Sequence, residues 1–399
     1  MKRYHQLVLT LYLPSFLFFF SQGVLIPVLP LYILDQGVSI GVVGLALAGQ
    51  PIGMLLGDLP SGTLIRRFGS LHTMVLGLVG FAAANAGMYM VSTIYWIAVL
   101  QLLTGFCTAV FTVGLHSSFI ELSAVKTRGR TIAISGGIIR LGRFAGPIVG
   151  GIIATTIGLR EPFLLLTLTS ALAVAFVFTG ERLKTNTPKA DNVRPALPRQ
   201  RLANVVRSNA RILLSAGGGQ LCAQAIRAAR PILIPLFAAG NLGLGADSIG
   251  VIVGISAGLD MSLFFVSGWL MDNLGRKFAI IPSFAIQSAG IALIPFTTGF
   301  ISLLVVVSLV GIGNGIGSGN MMTLGADLAP TDTRGEFLGV WRLIADCGQM
   351  GAPLTIGAVA ELISLNAACV AISSVGFLGV LIFIFAVPET LNRQPVKLQ

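Results

Sequence analysis

The sequence predicts an all-α polytopic membrane protein, and three observations carry that prediction. Hydrophobic residues make up 54% of the 399 and charged ones only 10%, against the roughly 25% charge that keeps a soluble domain hydrated. Apolar runs of about 18 or more residues recur along the chain, each long enough to cross a hydrocarbon core ~30 Å thick as a helix. The runs and their loops also repeat after 206 residues. With a mean hydropathy of +0.88, the chain cannot be a cytosolic enzyme, a nucleic-acid binder or a secreted disulfide scaffold.

The first predicted span covers 7–34. A cleavable signal peptide has a shorter apolar core followed by small residues; here Pro27, Pro30 and Tyr32 follow instead, so the span is retained. Spans two to six cover 41–65, 72–92, 95–122, 131–157 and 162–180. The widest polar interval, 181–211, holds Pro188, Pro195, Pro198 and eight basic residues. It reads as a linker with room for a surface helix. Spans seven to twelve cover 210–238, 248–271, 277–297, 301–328, 337–360 and 367–387. The expected organisation is therefore 1–180, a first six-helix bundle; 181–209, a basic linker; and 210–399, a second six-helix bundle with a short tail.

The net charge of +11 is a topology signal. Of 26 Lys and Arg, 20 lie in the termini, the linker and the loops around Arg66, Lys126–Arg130, Arg276 and Arg334, while the opposite loops hold only Arg160. Positive charge resists translocation, so the rich side is expected to be cytoplasmic, with both termini inside a plasma (inner) membrane. The expected partners are the lipid bilayer and a small-molecule substrate, with no nucleic acid, and the expected state is a monomer. Cys107, Cys222, Cys347 and Cys369 sit far apart within spans, and His5, His72 and His116 share no ligand spacing. Neither disulfides nor a metal site is expected, and no cofactor; a proton gradient is the expected energy source.

The repeat is specific. Glu121-Leu-Ser-Ala-Val-Lys-Thr-Arg-Gly matches Asp327-Leu-Ala-Pro-Thr-Asp-Thr-Arg-Gly, and at the same offset Gly62, Gly69, Gly105, Gly142, Pro147 and Gly151 meet Gly268, Gly275, Gly311, Gly348, Pro353 and Gly357. A parallel duplication of six spans gives two pseudo-symmetric halves about an axis along the membrane normal.

Between spans eight and nine stands Gly268-Trp-Leu-Met-Asp272-Asn-Leu-Gly275-Arg276-Lys277. It resembles the G-x-L-x-D-R-x-G-R-K signature of the major facilitator superfamily. The resemblance implies twelve transmembrane helices in two six-helix bundles, and a cytoplasmic gate that Asp272 closes, with Arg334 as its partner. In the first half the turn reads Gly62-Thr-Leu-Ile-Arg66-Arg67-Phe-Gly69-Ser70-Leu71; Arg66 replaces the acid and Ser70-Leu71 the basic pair, so two symmetric charge latches are not expected. Gly142-x-x-x-Gly146-Pro147-x-x-Gly150-Gly151 in span five resembles the family's antiporter motif, with Ala133 for its leading glycine, and points to the drug:proton antiporter branch. Small residues at this spacing also suit an ordinary close helix contact. Gln101 stands where a span-four motif of the family carries arginine.

Gly254-Ile-Ser256-Ala-Gly258 fits a hydrolase pattern, yet it lies within a span and no histidine follows it, so the order Ser, acid, His is impossible. The chain is not expected to be an enzyme. The glycine-rich run from Gly311 to Gly319 reads as a deformable part of span ten.

Five arginines (Arg140, Arg143, Arg227, Arg230 and Arg342) and three acids (Asp58, Asp260 and Asp346) fall within spans. Each costs about 2.5–3.5 kcal/mol at mid-bilayer even on a mild scale, so they must pair or face a wet cavity. Arg342 and Asp346, four residues apart, suit an intrahelical pair. Arg140, Arg143, Arg342 and Asp58 are ion-pair candidates, with the span-five pair able to approach Asp260. In the family fold, spans one, four, seven and ten line the cavity. The resemblance thus implies Gln22, Arg227, Arg230, Asn314 and Asn320 as cavity residues. Asp260 and Asp346 are the proton-coupling candidates; Asp260 has no basic residue one turn away and is the stronger. The expected activity is proton-coupled export of small amphipathic organic compounds; an organic anion or anionic metabolite, or a non-transporting membrane sensor, are the alternatives.

Overall fold

The computed structural model describes residues 6–123, 128–181 and 199–391. Among them are twelve helices long and apolar enough to cross a membrane: Val8–Leu34, Ile40–Asp58, Ser70–Met90, Ile94–Leu122, Ala133–Thr156, Glu161–Thr179, Ala210–Gly240, Ala246–Asn273, Arg276–Phe296, Phe300–Leu328, Thr331–Leu362 and Leu365–Phe385. These are spans one to twelve. Most of the expected linker and tail, and part of the basic loop at Lys126, lie outside the described residues. The end of the linker is a short helix, Arg199–Ser208.

The two halves pack by the same rule. Span one lies along span five, span two along four, three along four and six; spans seven, eight and nine repeat this with eleven, ten and twelve. Glycines make these approaches close. Gly105 rests on the backbone of Gln50 and Gly311 on that of Ser256, and both the glycines and their partners are 206 residues apart. A Cβ at either glycine would clash with main chain. At the turns into spans three and nine, Gly69 (φ 84°) and Gly275 (φ 124°) hold positive φ, which disfavours other residues.

Between the halves two seams dominate, span five against eight and span two against eleven. Both are tight at the end away from the basic loops. Gly151 packs on Ala246 and Gly250 on Pro147, while Gly44 packs on Pro353 and Gly357. Nearer the basic end, Gly136, Gly137, Gly268, Gly335 and Gly339 have open space where a Cβ would stand.

Two spans are interrupted, and hydropathy alone marks neither point. Span eight breaks at Leu263, between helices Ala246–Ser262 and Phe264–Asn273. Span ten breaks between Ile316 and Asn320, with Gly319 left-handed at φ 77°. The glycine run explains this geometry: Gly311 and Gly315 lie on span eight, and Gly313 and Gly317 lie on Ser283 and Gln287 of span nine. A helix with side-chain-free positions on two faces is held between two backbones and ends where its last glycine permits.

Candidate central site between the halves

Both breaks open onto one polar cluster. Arg140 of span five reaches across the seam to Asp260 (Nη1–Oδ1 3.2 Å) and donates to the Ser318 hydroxyl. Asn314 Nδ2 donates to the other carboxylate oxygen at 2.8 Å. Arg140 also lies over the Phe264 ring, 4.5 Å from its centroid. Thus Asp260 is ion-paired; its own helix supplies no base one turn away, and of the two span-five arginines able to approach it, Arg140 makes the bond.

Span seven supplies the second wall. Arg227 donates through Nη2 to the Gly317 carbonyl (2.8 Å) and Asn320 Oδ1 (3.2 Å), and stacks over Phe284 at 5.1 Å. Arg230 makes a long 3.5 Å bond to Ser256 Oγ, whose own proton goes to the Val307 carbonyl. Arg143 does not join the ion pair; it lies over Phe19, 5.1 Å from the centroid. Its charge nevertheless interacts with Asp260, as do those of Arg227 and Arg230.

Gln22 belongs to a separate, uncharged network: it accepts from Gln50 Nε2 and donates to Thr108 Oγ1, each at 3.2 Å. Sequence reasoning missed Ser318, Ser256, Gln50 and Thr108. Ser256 was in view only as part of a hydrolase-like pattern; the glycine run next to Ser318 was the usable signal. In the antiporter-like motif, Gly142, Gly146 and Gly150 pack against the span-one backbone at Phe20, Gly23 and Val24, and the Pro147 ring also meets Gly23, while the Pro147 carbonyl and Gly151 face span eight. One stretch thereby serves both a close helix contact and the seam.

The second seam carries its own charges. Arg342 crosses from span eleven to Asp58 of span two at 2.8 Å rather than pairing with Asp346 on its own helix. Among the described residues Asp346 accepts a long 3.5 Å bond from Gln349 Nε2 and no ion pair, so the expected intrahelical pair is corrected. At the turn into span nine, Asp272 is exposed and pairs with Arg276 at 3.5 Å, and Arg276 holds Asp327 more closely at 2.9 Å. Lys277 Nζ donates to the Ile384 carbonyl at 2.8 Å. Arg334 is exposed and is not Asp272's partner here, because the short turn through Gly275 brings Arg276, at the start of the next helix, beside Asp272. In the first half, Ser70 donates to Glu121 at 2.6 Å, the repeat equivalent of Arg276 with Asp327. Among the described residues no cluster of His, Cys, Asp or Glu could hold a metal.

The model of the Major Facilitator Superfamily matches residues 11–346 and 216–399. The chain belongs to the major facilitator superfamily. It is a multi-pass membrane transporter by that membership. An uncharacterized MFS-type transporter of Methanocaldococcus jannaschii is 23% identical over 370 residues, covering 90% of this chain and 92% of that protein. Quinolone resistance protein NorA of Staphylococcus aureus is 26% identical over 157 residues, 39% of this chain and 40% of NorA. Among solved structures, the nucleoside transporter NupG superposes with a TM-score of 0.78 at 13% identity, over 96% of this chain and 100% of that one. A bacterial homolog of the human lysosomal transporter Spinster, inward-facing and occupied, gives 0.77 at 14% identity, over 96% of each chain. At such identities the likeness is one of fold. Non-helical backbone at membrane depth is tolerated where it is buried in protein or lines a cavity, and Gly317, Ser318 and Asn320 at the span-ten break are buried.

Proposed function

We propose that this transporter exports small amphipathic organic compounds in exchange for protons, as a monomer in the inner membrane with both termini cytoplasmic and no cofactor. The observation that carries the reading is the Arg140–Asp260 ion pair, which ties the halves together beside both helix breaks. Protonating Asp260 removes the charge that holds Arg140 and loosens the seam between spans five and eight; losing the proton draws it shut. Proton binding and rocking then share one bond. The space at the basic end fits a cavity open to the cytoplasm, ready to load a compound for export. The likeness to the quinolone resistance protein NorA and the antiporter-like motif support the outward direction. Asp346, without an ion pair, is the second acid available to the proton.

The test is flux in liposomes holding the purified protein, with an amphipathic dye as substrate and an imposed pH gradient. Gradient-driven accumulation that disappears in Asp260→Asn is expected. Flux indifferent to the gradient would overturn proton coupling. No flux across a broad panel would favour the sensor reading.

A further inference from the structure

The wall made by spans seven and ten has more hydrogen-bond donors than the protein satisfies. Arg227 Nε, Arg230 Nε and Asn320 Nδ2 are buried with no partner among the described residues. Asn320 is fully buried, and its carbonyl oxygen is already taken by Arg227, so its free amide hydrogens lie beside the guanidinium. Buried donors in native proteins are almost always satisfied, and an exception calls for an explanation. All three atoms lack the same thing, an acceptor.

Charge gives the same answer. Arg140, Arg143, Arg227 and Arg230 interact with a single carboxylate, Asp260, and both of its oxygens are engaged, one by Arg140 and one by Asn314. Among the described residues, Arg227 and Arg230 therefore have no counter-ion of their own. The helix Asn320–Leu328 begins here, and its N-terminal dipole adds to the pull on an anion. Guanidinium forks match a planar carboxylate through paired hydrogen bonds. The ring of Phe264, under Arg140 and only partly buried, offers apolar surface alongside.

We infer that the spans-seven-and-ten wall binds the carboxylate of an amphipathic organic anion through Arg227, Arg230 and the Asn320 amide. This rests on the transport reading above and narrows its substrate class. The apolar body of the compound lies towards Phe264, and the free donors grip the carboxylate end.

Binding is measured without any gradient, so it fails or succeeds independently of proton coupling. The full-length protein in detergent is titrated with 1-naphthaleneacetate, its neutral amide and 1-naphthylmethylammonium, following the melting temperature, since a ligand of the folded state raises it by mass action. Inorganic phosphate is run in parallel. Saturable stabilisation by naphthaleneacetate alone is expected. Its Kd should rise at least tenfold in Arg227→Gln or Arg230→Gln, and stay unchanged in Arg160→Gln, a charge loss far from the wall. Should the arginine variants fold poorly, Asn320→Asp supplies a built-in carboxylate beside Arg227; it should abolish naphthaleneacetate binding while leaving the protein folded. Equal stabilisation by amide or cation, stabilisation by phosphate alone, no stabilisation by naphthaleneacetate, or anion binding that survives Asn320→Asp would each overturn the inference.

Discussion

The seam between spans five and eight and the seam between spans two and eleven are related by the repeat, yet they are fastened differently. Their tight ends are alike: Gly151 and Gly250 meet the facing backbone in one, Gly357 and Gly44 in the other. Their ion pairs are not. In Arg140–Asp260 both side chains are mostly buried, 21% and 20% exposed, whereas in the other pair Asp58 is equally buried at 20% but Arg342 is 53% exposed. By the 206-residue offset Asp58 stands opposite Phe264, one turn further along than the position equivalent to Asp260. The second pair thus sits one helical turn nearer the basic end. Backbone packing must match in both halves because a carbonyl leaves room only for glycine. A charge has no such restriction, since a long side chain can reach its partner from more than one turn.

The largest effect expected from this contrast is in Arg140→Gln. It leaves Asp260 without its cation in a partly buried site, at a cost of about 3 kcal/mol. The melting temperature in detergent should fall clearly, and adding Asp260→Asn should restore most of the loss. An equal fall in the double variant would break the claim that this pair fastens the seam. Next in size, Gly250→Val and Gly44→Val should each cost about 1–3 kcal/mol through overpacking, and by similar amounts, because the tight ends are alike. If only one of them is destabilised, the seams differ at that end too.

Arg342→Gln should lower the melting temperature less than Arg140→Gln, because Arg342 is half exposed and solvent screens its half of the pair, although Asp58 is as buried as Asp260. The Asp58 pair should also weaken with added salt, a difference that thermal denaturation at low and high ionic strength would register. The smallest effect concerns the turns rather than the seams. Burial pushes the Glu389 carboxyl up, but amides of Leu391, Lys277, Arg276 and Thr390, which it accepts from, outweigh that and hold it below its ordinary value of 4.5. A depressed folded value means the contribution is present above the unfolded value and is lost as pH falls through 4.5 and below. Melting temperatures of the native protein and Glu389→Gln should therefore converge in acid and separate above pH 4.5; parallel curves would remove Glu389 from the account.

Much of the site was legible one residue at a time and illegible in pairs. Arg227, Arg230, Asn314 and Asn320 were marked by polarity within apolar spans, and the structure places them around one cluster. The approach of Arg140 to Asp260 could be anticipated from the order of spans, but not its outcome. The spacing of Arg342 and Asp346 favoured a partner on the same helix, yet Asp58 on another span takes the guanidinium. Asp272 lost its expected partner in the same way, to Arg276 and a turn too short to let it reach elsewhere.

By itself the sequence determined the class, the twelve spans and the duplication, because hydropathy and repeats are sums over many residues and tolerate local error. Only the tertiary structure decided the breaks in spans eight and ten and the choice of each charge's partner. Successive side chains on a helix point about 100° apart, so a rotation or shift by a single residue replaces one neighbour with another. That rotation is set where glycines of one span meet the backbone of another, and no single segment of sequence contains both.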